Sequence, residues 1–257
     1  MSGFGILVRK ELLEAWRTRR LPAVAVLFVV VGIISPLTAR YLNEILAAAL
    51  GDQLPMILPE PTAAMAIEQV QKNLGQLGAL AAIALAMGSV AAELDRGTAA
   101  LILAQPATRP AFLLAKLLGI AVVLAVCTAA AMLVAWIYTA ILFEALPVGG
   151  FLAFAALSWL ALFAWAALTF LASTVTGSAM AAAGLGFVAL IGLSLVAIVP
   201  ALDRVLPTGL SAPAALLATG QASTVDGGAL ATSIAGTLAL VGACAALAIA
   251  AFRRREL

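Results

Sequence analysis

Phe112-Leu-Leu-Ala-Lys-Leu-Leu-Gly-Ile-Ala-Val-Val-Leu-Ala-Val-Cys-Thr-Ala-Ala-Ala-Met-Leu-Val-Ala-Trp-Ile-Tyr-Thr-Ala-Ile-Leu-Phe143 carries one charge, Lys116, near its start. A helix crosses hydrocarbon with roughly 20 apolar residues, so this stretch can cross with tilt or project beyond the bilayer. Five further segments read the same way: Leu21–Ala39, Leu74–Ala92, Phe151–Ala172, Ser178–Val199 and Ala229–Phe252, the last also long. Of the 257 residues, 65% are hydrophobic and 10% charged, where an ordinary soluble domain has about 25% charged. The expected fold is an all-α membrane protein with six transmembrane helices, one domain over residues 1–257.

Basic residues orient such a bundle. With both termini in the cytosol, Arg9, Lys10, Arg17, Arg19, Arg20, Arg96, Arg109, Lys116 and Arg253–Arg255 fall inside, and only Arg40, Lys72 and Arg204 outside. The expected location is the plasma (cell inner) membrane, multi-pass. The first span has too long an apolar core for a signal peptide and follows a helical stretch, so it is read as retained.

Composition excludes several classes of function. Histidine is absent, which removes Ser/His and Cys/His nucleophiles and the histidine-built zinc motifs. Cys127 and Cys244 lie in apolar runs without CxxC spacing and read as small buried residues. No GxxxxGK[ST] occurs, so the chain has no P-loop of its own. With no histidine and no paired carboxylates inside the membrane, no enzymatic activity is expected. Ion-coupled carriers keep ionisable groups near the midplane. Here Glu93, Glu144 and Lys116 sit at span ends, within expected reach of headgroups and water. Any transport therefore draws its energy from elsewhere, and no metal, cofactor or nucleic-acid site is assigned.

Outside the spans, residues 1–20 project as an interfacial helix. Phe4, Val8, Leu12, Ala15 and Trp16 share one side, while Lys10, Glu14 and Arg17 lie opposite, Lys10 and Glu14 at i,i+4 spacing. Such a helix lies in the interface among lipid headgroups, as a simple anchor or as a dock for a cytosolic partner through Arg9, Lys10, Glu11, Glu14, Trp16 and Arg17. Two external loops are expected. Residues 40–73 contain Pro55, Pro59 and Pro61 and a helix-forming stretch over Thr62–Gln71; residues 201–228 form a cap of short helices. Glycines in the second, fifth and sixth spans (Gly75, Gly78, Gly88, Gly184, Gly186, Gly192, Gly236, Gly242) suit close helix packing, or a moving subunit interface.

Between the second and third spans, residues 93–111 are charged and punctuated. Asp95-Arg96-Gly97 turns the chain, Thr98 caps a short helix Ala99–Ala104, and Pro106 ends it. Thr108-Arg109-Pro110 then leads into the third span, with Lys116 near the interface. A short helix tethered at both ends to membrane helices passes a push from a soluble partner to two spans at once.

Glu93, Gly97, Thr98, Leu101, Pro106, Thr108, Arg109 and Lys116 together resemble the segment between spans 2 and 3 of ATP-binding-cassette permeases of the type-2 exporter class. Leu101 stands one residue off that family's leucine-to-proline spacing. Arg9-Lys10-Glu11-Leu12 is similar to the family's amphipathic N-terminal helix, and six spans with a large first outer loop complete the likeness. The resemblance implies a permease that dimerises with a second copy or a related chain. It implies a separate cytosolic P-loop ATPase holding ATP and Mg, a coupling helix within Glu93–Arg109 that includes Arg96, and a path lined by the first, second and fifth spans. Candidate polar contacts on that path are Ser35, Thr38, Ser89, Ser178 and Ser194, although hydroxyls in membrane helices usually bond their own backbone. Met87 and Met180 stand beside them and are read as core filling before any copper site. A path so poor in charge suits an amphipathic or apolar cargo. The alternative is a non-transporting membrane subunit that couples an ATPase to a partner protein.

Overall fold

The computed structural model describes residues 3–50, 60–98 and 108–255. Six of its helices are long and apolar enough to cross a membrane. An amphipathic helix α1 (Gly3–Arg17) comes first, and Arg19, in the left-handed region with φ 59°, turns the chain into α2 (Arg20–Arg40), the first span. Helix α3 (Leu42–Leu50) follows. Span 2 is then built in pieces: α4 (Ala63–Asn73), a π-helical turn Leu74–Gly78, α5 (Ala79–Met87) and α6 (Ala91–Asp95). Spans 3, 4 and 5 are α7 (Arg109–Leu142), α8 (Val148–Thr176) and α9 (Ala179–Val196). Short turns follow at α10 (Pro200–Asp203), Pro207–Leu210, α11 (Ser211–Ala218) and Ala222–Thr224, before span 6, α12 (Gly227–Arg253).

The helix starts carry their own caps. Thr62 Oγ1 accepts from the Met65 amide, Thr108 Oγ1 from Ala111, Ser178 Oγ from Ala181, and Asp226 Oδ1 from Gly228 and Ala229. Each satisfies an amide that the first turn leaves orphaned. The helix that carries span 2 begins at Ala63, where the sequence has its helix-forming stretch Thr62–Gln71, and Ala63, Ala66, Ile67 and Val70 bury a stripe of small and branched side chains. Short helices lie between residues 200 and 224. They pack against the start of α8 and against α4, at the end of the bundle opposite the termini.

Spans 3 and 4 form the centre. α2 lies along α7, while α5, α9, α11 and α12 all pack on α8. Phe28, Phe112, Phe154, Phe170 and Phe252 are fully buried. Over its apolar window span 5 is only 11% buried, against 56% for spans 2, 3 and 4, so one side of the bundle presents an apolar wall that lipid or protein must cover.

Close approach of α2 and α7 depends on Gly32, because a Cβ there would strike the carbonyl of Ala131. Gly32→Ala is expected to wedge the two spans apart and cost about 1–3 kcal/mol. A thermal melt in detergent reads this as a fall of about 2–4 °C per kcal/mol. Gly242→Ala, where an added Cβ meets nothing within 4 Å, is the control and should melt unchanged.

Candidate functional site

At the end of the bundle that holds both termini, charge concentrates where α1, α6 and α7 meet. Glu93 lies on the last turn of span 2, and its Oε1 accepts from Lys116 Nζ of span 3 at 2.8 Å and from Lys10 Nζ of α1 at 2.7 Å. Lys116 also donates to both oxygens of Glu11, at 3.1 and 3.2 Å. Lys10 reaches Glu11 at 3.0 Å and Glu14 at 3.4 Å, the latter at the expected i,i+4 spacing. Two lysines and three glutamates thus bind three separately placed segments into one cluster.

This corrects two sequence expectations. Lys116 is not within reach of headgroups: its side chain is 3% exposed and Glu93's is 12%. Lys10 and Glu14 do not face away from the bundle but turn toward span 2. The physical reason is mutual. A lysine carried this deep on a helix must find anions, and α1 supplies one where it lies along α7. Gly119, one turn beyond Lys116, makes room, since a Cβ there would press on the Glu11 side chain at 3.0 Å.

The carboxylates of Glu11, Glu14 and Glu93 bring oxygens within 4.8 Å of one another, a spacing that suits a cation. Lys10 already supplies that cation, since its ammonium contacts all three. Burial works against its charge, but the hydrogen bond to Glu93 and the fields of Glu11 and Glu93 hold it above its ordinary 10.5. With the folded value raised, this tie is fully present below the ordinary range and is lost only as pH climbs through the raised value. It therefore stays closed across neutral pH. Glu93 Oε2 is buried with no hydrogen-bond partner among the described residues. Glu93, Glu11, Glu14, Arg20, Arg96 and Lys116 line a cavity of about 60 Å³, enough for a few water molecules.

A second set of ties lies beside the first. Arg109, at the start of span 3, donates from Nη1 to the carbonyls of Phe252, Arg253 and Arg255 at 3.3, 2.9 and 3.1 Å. These carbonyls lie at and just past the end of span 6, Phe252 O accepting also from the Arg255 amide at 3.3 Å, and a cation there is also favoured by the helix dipole. Arg255 Nη2 in turn donates to Val175 O at 2.6 Å, closing the end of span 4 beside Gly177. Lys116 sits 5.1 Å over the Phe112 ring, which stacks on Phe252 of span 6.

Of the other residues singled out in the sequence, Arg96 is exposed, Gly97 turns the chain with φ 67°, and Thr98 Oγ1 bonds back to Glu93 O at 3.3 Å. Thr108 is the cap of span 3. Leu101, Pro106 and the short helix expected over 99–104 lie outside the described residues. On α1, Arg9, Trp16 and Arg17 are exposed. The seven path candidates are scattered along spans 1, 2 and 5. Thr38, Ser89 and Ser194 bond the backbone of their own helices, and Ser178 caps α9. Met180 is 83% exposed and Met87 half-buried. Among the described residues Ser35 is the one of the seven whose side chain is shown bonding another span, accepting from Asn73 Nδ2 at 2.9 Å while Gln69 bonds Asn73 in turn. Asn73, Ser173 and Arg255 are not evident as site residues in the sequence. Each is an ordinary residue for its segment, and only the neighbouring helix gives it a partner.

The chain belongs to the ABC-2 family of transporter proteins, whose family model matches residues 6–257. It is also similar to the uncharacterized transmembrane protein YxlG of Bacillus subtilis (strain 168), 31% identical over 140 residues. That match covers 54% of each chain, so the chain spans about half the length of this relative. Permeases of the family generally pair with an ABC ATPase, and this sequence contains no P-loop.

Proposed function

We propose that this chain is the permease subunit of an ATP-driven exporter, taking its energy from a separate P-loop ATPase that holds ATP and Mg. In this reading both termini and residues 93–111 face the cytosol of a plasma (cell inner) membrane, and the ATPase docks on that segment. Two copies work as a homodimer, or one copy with a related chain. The largely exposed span 5 supports that arrangement, since an apolar wall suits a second copy. The cargo is amphipathic or apolar, and moves outward.

The observation that carries the reading is the ion-pair cluster. Glu93 stands directly before the docking segment and is tied at once to span 3 through Lys116 and to α1 through Lys10. A displacement of the segment therefore reaches spans 2 and 3 and the interfacial helix together. Exposed Arg9, Trp16 and Arg17 remain free to meet the ATPase, while Lys10 and Glu11 serve the cluster.

The chain should copurify in mild detergent with a stoichiometric P-loop ATPase. Glu93→Gln, which keeps size but removes charge, is expected to leave the complex assembled and to abolish permease-dependent stimulation of ATP hydrolysis. Stimulation that survives in Glu93→Gln would remove this segment from the coupling role. An ATPase stimulated by a partner protein, and by no lipid, peptide or drug-like molecule, would assign the chain to a non-transporting subunit instead.

A further inference from the structure

Span 2 is interrupted just before Glu93, over Gly88–Val90, and a side chain from another span sits in the interruption. In a continuous helix the Ala91 amide would donate to the Met87 carbonyl. Here the Ser173 hydroxyl of span 4 stands between them. It donates to Met87 O at 2.8 Å and accepts from the amides of Ala91 at 3.1 Å and Val90 at 3.4 Å. No proline lies between Ala79 and Asp95; a Gly88-Ser89 pair loosens the turn, with Ser89 Oγ donating to Ala86 O at 2.7 Å, and the Ser173 hydroxyl enters the hydrogen-bond ladder there.

One hydroxyl offers one proton and two lone pairs, and Ser173 uses all three while fully buried. Beyond the break the chain restarts as α6, with the Glu93 and Leu94 amides both donating to Val90 O. The direction of α6, and with it the carboxylate of Glu93, is set by where the ladder was opened.

A second arrangement satisfies the same groups. Thr169, Thr174 and Thr176 on this helix all bond back to the carbonyl four residues earlier, and a serine can do the same. If Ser173 turned to the carbonyl of Thr169, the Ala91 amide could close on Met87 and span 2 would run on as a regular helix. Met87 O, the Ala91 amide and the Ser173 hydroxyl each keep a partner in either state, which is what a two-state element requires.

We infer that Ser173 is a positioning residue: its hydroxyl wedges span 2 open and thereby aims Glu93 at Lys10 and Lys116, and its withdrawal lets the end of span 2 swing. The inference rests on the coupling reading above, so its test has one arm that needs no ATPase. For that arm the chain is placed in lipid nanodiscs with spin labels at Asp95 and Leu202, exposed positions at opposite ends of the bundle. The buried Cys127 and Cys244 are changed to alanine. Ser173→Ala should shift the label distance distribution, and Ser173→Thr, which keeps the hydroxyl, should restore it. In the second arm, with the ATPase present, Ser173→Ala should lower the stimulated kcat about tenfold or more, as small misplacements do, with the KM for ATP unchanged and Thr again restoring it.

Unshifted distances in Ser173→Ala overturn the inference whatever the ATPase does. Shifted distances with full stimulation, while Glu93→Gln abolishes it, overturn the positioning role and leave the coupling reading standing. Full stimulation in both variants removes the coupling reading, and with it anything for Ser173 to position.

Discussion

Lys116→Met is expected to remove about 3–5 kcal/mol of stability, the usual consequence of breaking a buried ion pair from one side. The Lys116 side chain is almost fully enclosed and bonds Glu93 and both oxygens of Glu11. Without it the two carboxylates share Lys10, whose side chain is 38% exposed and cannot neutralise both. The loss should appear as a lower melting temperature, with faster proteolysis of α1, which is held to α7 through this contact. The double variant Lys116→Met with Glu93→Met gives the sharper result. Replacing a whole buried pair by apolar groups of similar size is often close to neutral, and Lys10 keeps Glu11 and Glu14. Stability should therefore return to within about 1 kcal/mol of the parent, while stimulation of the ATPase stays lost. A double variant that stimulated normally would show that the charges serve folding alone. One as unstable as the single change would show that Lys116 has energetic partners beyond Glu93.

The second large effect is expected at Arg109. Its guanidinium collects three terminal carbonyls of span 6, and hydrogen bonds to charged groups contribute about 1.5–3 kcal/mol each in buried settings. Part of this site is exposed, so the sum is discounted to about 2 kcal/mol. Arg109→Ala should release the end of α12. Hydrogen exchange should then rise over Phe252–Arg255, and also at the end of α8, because Arg255 would lose its hold on Val175 O. Arg109→Lys is expected to restore part of the tie, since all three contacts run from the single nitrogen Nη1 and an ammonium carries three N–H donors on one nitrogen. Exchange confined to residues 252–255, with α8 unchanged, would show that the two arginine ties act separately. Exchange unchanged at both sites would show that span 6 ends without needing Arg109.

Hydropathy alone placed the six spans, because each carries its signal in its own residues: a run of apolar side chains long enough for hydrocarbon, bounded by charge or by glycine and proline. The turn at Gly97 was legible for the same reason, being a local device of left-handed backbone. The candidate site was legible in part. Glu93, Arg109 and Lys116 stood out as charges at the ends of apolar runs, but the sequence put them in reach of water, where nothing would bind them to one another.

Which charges pair, and what they hold, was decided by packing. Lys10 and Glu11 look like the polar side of an interfacial helix until α1 lies along α7 and turns them toward Glu93 and Lys116. Ser173 looks like any hydroxyl in an alanine-rich span until α8 passes the broken turn of span 2. A span needs only its own side chains and a bilayer, so sequence determines it. An ion pair between residues 83 or 105 positions apart, or a hydroxyl seated in another helix's ladder, exists only where the tertiary fold excludes water and leaves each polar group one partner to find.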